Sequence, residues 1–164
     1  MDLEKVEMRY SSIDDEKFLK KCLEDKQNLK WFPFSTEQEV AQSIKNWIGY
    51  SKFYASLTAT IDKKAVAVAT LFLMPYKKVS HHCMFYLLVD SEYQNKGLES
   101  MMIKNIKNLA KSYFYLESIT VEIFEGCPMY KIFLENGFET YAKQKYFIED
   151  EGRFSSRILL ECFF

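Results

Sequence analysis

Between Phe85 and Lys111 the chain changes its hydrophobic period once and abruptly, and few architectures accommodate such a change. The seven residues Cys83 to Val89 are all apolar or aromatic, a run too unbroken for a half-wetted strand and short enough for a central strand buried on both faces. Asp90 to Lys96 is polar and Gly97 interrupts. From there Leu98, Met101, Met102, Ile106, Leu109, Ala110 and Tyr113 recur at three- and four-residue spacing, the mark of one helical face. The stretch reads as strand, glycine-bearing turn and helix. Such a junction aims unpaired backbone N–H groups and the positive end of a helix dipole at one point beyond the strand, where a phosphate group is the natural occupant. The turn carries neither the Gly-Lys-Ser/Thr of a Walker A loop nor a Gly-x-Gly-x-x-Gly dinucleotide pattern.

A chain of 164 residues buries a substantial core in one domain, expected here to span 1–164. Its 22 basic and 23 acidic residues nearly cancel, which argues against nucleic acid as a partner, since that demands a basic surplus or stripe. No apolar run approaches the roughly 20 residues of a membrane-spanning helix, and Met1 to Lys5 opens with charge where a signal peptide would not. No membrane partner is expected, and the expected location is cytoplasmic. Cys22, Cys83, Cys127 and Cys162 form no Cys-x-x-Cys pair and read as free thiols in a reducing compartment. His81 and His82 would point to opposite faces of an extended chain, with no carboxylate or cysteine cluster beside them, so no metal is expected.

Around the central stretch, Val6 to Tyr10 predicts a strand and Asp14 to Asp25 a helix with Phe18, Leu19, Cys22 and Leu23 inward. Gln27 to Phe34 reads as a loop, whose Trp31-Phe32-Pro33-Phe34 is either a plug on the core or the wall of a pocket. Ser35 or Thr36 caps a second helix, with Val40, Ile44, Trp47 and Ile48 on one face. Phe53 to Ile61 and Ala65 to Met74 predict an antiparallel hairpin turning at Asp62-Lys63-Lys64. Ser118 to Phe124 alternates as a strand, and the helix before it requires that it run parallel to the strand ending at Val89. Pro128 and Gly137 bracket a short helix with Met129, Ile132 and Phe133 inward. Phe138 to Ile148 and Phe154 to Phe163 close the chain as a hairpin around Glu149-Asp150-Glu151-Gly152. The class is α+β: a mixed, mostly antiparallel sheet of about seven strands flanked by about four helices.

The run Val89-Asp90-Ser91-Glu92-Tyr93-Gln94-Asn95-Lys96-Gly97-Leu98 resembles the acetyl-CoA signature of the GNAT acyltransferase superfamily. There a strand ending in valine is followed by Arg/Gln-x-x-Gly-x-Gly/Ala opening a long helix. Gln94 and Gly97 match, whereas Glu99 stands where the family places Gly or Ala. The short helix ending Gly137-Phe138 resembles the family's Tyr-x-x-x-Gly-Phe, with Phe133 in place of the tyrosine and Gly126 where an asparagine is usual. The order of elements follows the family over the whole chain. Trp31-Phe32-Pro33 and the closing hairpin are most similar to enzymes that acetylate protein N-terminal or small-molecule amines.

The resemblance implies acetyl-CoA as co-substrate and direct attack of an amine acceptor on the thioester. The backbone N–H groups of Gln94, Asn95, Lys96, Gly97, Leu98, Glu99 and Ser100 would cradle the pyrophosphate, and Leu87, Leu88 and Val89 would line the slot for the pantetheine arm. Glu122 falls where some amine acetyltransferases carry a catalytic glutamate; it is either a partly desolvated base or an ordinary solvated carboxylate. The acid's place on Phe133 has no proton to give, and Tyr130, one helical turn earlier, is either its replacement or a packed ring. The other reading is a GNAT-fold protein with weakened catalysis that binds CoA or a protein partner.

Overall fold

The computed structural model describes residues 3–164, so Met1 and Asp2 of the charged opening lie outside the described residues. Strands β1 (Glu7–Tyr10), β2 (Ser56–Ile61), β3 (Lys64–Leu73), β4 (His82–Val89), β5 (Ser118–Phe124), β6 (Glu139–Asp150) and β7 (Arg153–Phe163) form one sheet in the order β1-β2-β3-β4-β5-β7-β6. Every neighbouring pair is antiparallel except β4 and β5, which run parallel as the intervening helix requires. The helices are α1 (Glu16–Glu24), α2 (Lys26–Leu29), α3 (Glu37–Gly49), α4 (Leu98–Ser112) and α5 (Met129–Glu135).

Period-two alternation sends opposite faces of the sheet to different helices. Ala67, Ala69, Leu71, Cys83, Phe85, Ile119 and Val121 pack with Leu98, Met102, Ile103 and Ile106 of α4. Val68 and Leu88 pack instead with Phe18, Leu19 and Leu23 of α1 and Val40, Ile44 and Trp47 of α3. The face of α4 differs from the expected one: Ile103 belongs to the core, Met101 is half-buried and Tyr113 is exposed. Thr36 caps α3 through its side chain on the Glu39 N–H, and Glu39 returns a bond to the Thr36 N–H at 2.9 Å.

Local chemistry shifts several boundaries. Asp15 is not helical interior; it is the last residue of a 3-10 turn at Ile13–Asp15, almost fully buried, where Arg9 donates two bonds of 2.8 and 2.7 Å and Thr58 a third. Asp25 caps the four-residue α2 inside the expected loop through the Gln27 N–H. Phe53 is in a 3-10 turn, and left-handed Tyr54 delays β2 to Ser56. The β2–β3 turn needs only Asp62 and Lys63, both at positive φ, a twist that matches antiparallel strands. The last hairpin likewise turns at Glu151-Gly152 alone. Pro128 is the N-cap of α5 rather than its first residue.

Burial alone would push the Asp15 carboxyl up, but hydrogen bonds from Arg9, the Ser12 N–H and Thr58 outweigh it and hold it below the usual carboxylate range. A carboxyl lowered by folding contributes stability that is present above the unfolded-state value and is lost as pH falls through the folded one. Asp15→Asn is therefore expected to cost about 1–2 kcal/mol at neutral pH, a figure kept small because Arg9 is partly solvated. Urea unfolding at neutral and acidic pH checks this: the gap between the two proteins should narrow in acid, and a constant gap would refute the assignment.

Candidate active site

The site begins where two strands stop pairing. β4 and β5 are in register only at His82 with Ser118, Cys83 with Ile119 and Met84 with Thr120. Beyond that rung β4 stays on β3 and β5 stays on β7, so the sheet splits. A cavity of about 80 Å³ occupies the split. Its walls are Tyr86, Leu87, Leu88 and Val89 from β4; Val121, Glu122 and Ile123 from β5; Trp31 and Phe32 from the α2–α3 loop; and Met129, Ile132 and Phe133 from α5. The aromatic loop is thus pocket wall, with Phe34 stacked on Phe32 at 5.8 Å behind it.

At the foot of the split lies the turn into α4. Asp90 accepts from the Glu92 N–H at 3.1 Å and pairs with Lys21 of α1 at 2.7 Å. The Gln94 amide donates to the Val89 carbonyl at 3.0 Å and to Asn28 Oδ1 at 2.8 Å, while Asn28 donates to the Cys22 carbonyl. Gln94 therefore binds the turn to α2, just ahead of the loop that carries Trp31 and Phe32. Gly97 has φ of 89°, a left-handed conformation that costs a side-chain-bearing residue about 1–2 kcal/mol, which explains the glycine. Lys96 is exposed and donates to the Glu92 carbonyl; Leu98 is fully buried; the Ser100 hydroxyl accepts from Asn136 at 2.9 Å.

Glu99 is the unexpected member of the turn. Rather than rotating into solvent it is 3% exposed, faces the cavity, and accepts the Asn95 N–H at 2.7 Å. One of the amides that would meet an anion is already answered by the chain's own carboxylate.

Glu122 does not stand alone in an apolar wall. Its Oε1 accepts from the Tyr86 hydroxyl at 3.3 Å and its Oε2 from Arg157 of β7 at 2.6 Å. Arg157 also donates to Gln144 and lies 3.9 Å from the centre of the Phe147 ring. Tyr86 and Arg157 escaped sequence reasoning, because a tyrosine inside an apolar strand and an arginine in a closing hairpin carry no local signal.

Tyr130 is not brought to the site. It is 37% exposed on the outer side of α5, with its hydroxyl 3.2 Å from Thr140, and it does not line the cavity. Phe133 does, with its ring edge-on to Phe85 and Phe138. Cys127 also lines the cavity, where burial pushes its thiol up and disfavours the thiolate that a nucleophile needs. Among the described residues there is no group of three or more His, Cys, Asp or Glu able to hold a metal ion, and no helix long and apolar enough to cross a membrane.

Solved structures share this architecture. A candidate phosphinothricin N-acetyltransferase superposes with a TM-score of 0.85 at 13% identity, covering 96% of this chain and 98% of that one. The YncA structure from Salmonella typhimurium, determined with acetyl-CoA as its cofactor, gives 0.80 at 10% identity over 97% and 94%. Among curated proteins, the L-amino acid N-acetyltransferase AaaT of Escherichia coli (strain K12) is 24% identical over 99 residues, which are 60% of this chain and 61% of that relative. The acetyltransferase (GNAT) family matches residues 21–138, a stretch that runs from α1 through the split strands and the α4 turn to the end of α5. With most of its length matched, and with the split and the turn both inside the match, this chain belongs to the GNAT acetyltransferase family.

Proposed function

We propose that the protein transfers an acetyl group from acetyl-CoA to a primary amine of a small molecule or a protein, by direct attack and without a covalent enzyme intermediate. The observation that carries this reading is the split of β4 from β5, which opens at the N-terminus of α4 and ends at Glu122. Acetyl-CoA, when bound, supplies a thioester carbonyl open to attack. The residues suit it: backbone N–H groups at the start of α4 would meet an anion, and the edge of β4 from Leu87 to Val89 is left unclaimed by β5. The amide exposed along that edge would orient the reacting carbonyl and favour negative charge on its oxygen. Glu122, in contact with both Tyr86 and Arg157, would accept the proton released by the amine. Trp31 and Phe32 would exclude water from this end of the gap. The L-amino acid acceptor named for AaaT makes small amines the first acceptors to try. The four buried free thiols accord with a cytoplasmic setting.

A second reading draws on two other observations. Glu99 fills part of the anion cradle and Phe133 offers no proton, as in a fold-bearing module that binds CoA or a partner with little turnover. Calorimetry with acetyl-CoA, followed by release of free thiol in the presence of amino acids, polyamines and peptides, separates the two. Saturable binding with amine-dependent release is expected. Binding without release for any amine would favour the module, and absence of binding would overturn the acetyl-CoA reading.

A further inference from the structure

Resting on the acetyl-transfer reading, we propose that Tyr86 is the general acid that protonates the departing sulfur, acting as a pair with Glu122. The positions a family tyrosine would use are closed: Phe133 has no hydroxyl, and Tyr130 is turned to Thr140 outside the cavity. The Tyr86 hydroxyl instead reaches from β4 to Glu122 on β5, two residues beyond the last paired rung at Met84 and Thr120. A thioester arm laid in the split would meet this bridge near the closed end. The ring is held by packing, with Phe72 at 5.2 Å, Trp47 at 5.6 Å and Phe32 at 6.1 Å between centroids, so its hydroxyl is fixed in place by the core.

The charged groups facing the hydroxyl are Glu122 from β5 and Arg157 from β7, while α3, β3 and the α2–α3 loop contribute rings. Burial first, and then the negative charge of Glu122, push the Tyr86 phenol well above its usual range, so it holds its proton more firmly than a free phenol. Alone it would be too weak an acid. Paired, it need not bear a charge: the amine nitrogen forms the C–N bond and the C–S bond breaks. The amine proton goes to Glu122 Oε1, the Tyr86 proton goes to sulfur, and a proton passing from Glu122 to the Tyr86 oxygen restores both groups. The net transfer is one proton from nitrogen to sulfur, with no other reactant.

Tyr86→Phe keeps the ring and removes the proton. Its kcat is expected to fall about 10²-fold with little change in KM for acetyl-CoA. The deficit should shrink sharply with an acetyl thioester of an acidic aryl thiol, which leaves without protonation. A readout independent of turnover is the ionisation of the thiol of bound CoA, followed by thiolate absorbance: without the Tyr86 donor it should move to higher pH. An unchanged kcat, an equal deficit for both leaving groups, or an unmoved ionisation would each overturn the role. If the wild-type protein turns over no amine, the acetyl-transfer reading falls and this role with it; turnover with an unaffected Tyr86→Phe removes this role alone.

Discussion

Replacing Glu122 with Gln is expected to lower the acetylation rate by about 10²-fold or more while leaving acetyl-CoA affinity nearly unchanged. The substitution preserves shape, and the Gln carbonyl can still accept from Tyr86, so the loss isolates the proton acceptor. Arg157 would lose its charged partner, yet it retains Gln144 and the Phe147 ring and has a route to solvent, so the fold should survive. If Glu122 and Tyr86 move one proton together, Glu122→Gln combined with Tyr86→Phe should be little worse than either alone. Steady-state rates of the three variants with a saturating amine provide the measurement. An unchanged rate in Glu122→Gln would reduce Glu122 to a strut between β4 and β7.

The second large effect is a gain. Glu99→Ala should tighten acetyl-CoA binding by about tenfold, equivalent to about 1.4 kcal/mol. Two contributions add: the Asn95 N–H is freed for a phosphate oxygen, and a like charge leaves the cradle. That repulsion is at most about 4 kcal/mol for a charge pair at 4 Å and an effective dielectric near 20, and the favourable placement of a carboxylate in the first helical turn offsets up to about 1 kcal/mol. Burial of Glu99 limits screening by salt, so the gain should persist at high ionic strength. Glu99→Gln separates the causes, since it removes the charge but can keep the bond to Asn95. Calorimetry at two salt concentrations that finds equal affinity in all three proteins would mean the carboxylate swings clear at no cost.

What could be read in advance was local. The strand at Ser118–Phe124 and the start of α4 at Leu98 fall where the alternation and the three-four spacing place them, because period is written in consecutive residues. The parallel pairing of β4 with β5 followed from the length of the helix between them. The site's decisive contacts were not local. Glu122 meets Arg157 because β7 inserts between β5 and β6, placing Arg157 opposite Phe124 in the antiparallel register, and no spacing announces that insertion. Gln94 finds Asn28 across 66 residues. Tyr130 misled for a geometric reason: three residues before Phe133 it lies about 60° around the helix, enough to leave the cavity for the side facing Thr140. Glu99 was legible as an anomaly but not in direction, since a carboxylate at that place can turn outward or back onto its own turn.

The placement of Trp31 has an optical consequence. Of the chain's two tryptophans, Trp47 is sealed among Phe32, Phe72 and Tyr86, while Trp31 stands in the cavity wall beneath the Lys30 ammonium, 4.8 Å from the centre of one of its rings. Intrinsic fluorescence therefore carries a component from the gap itself against a constant background from the core. Anything that enters the gap changes the polarity around that one indole. The unlabelled protein thus has its own emission signal for ligand entry.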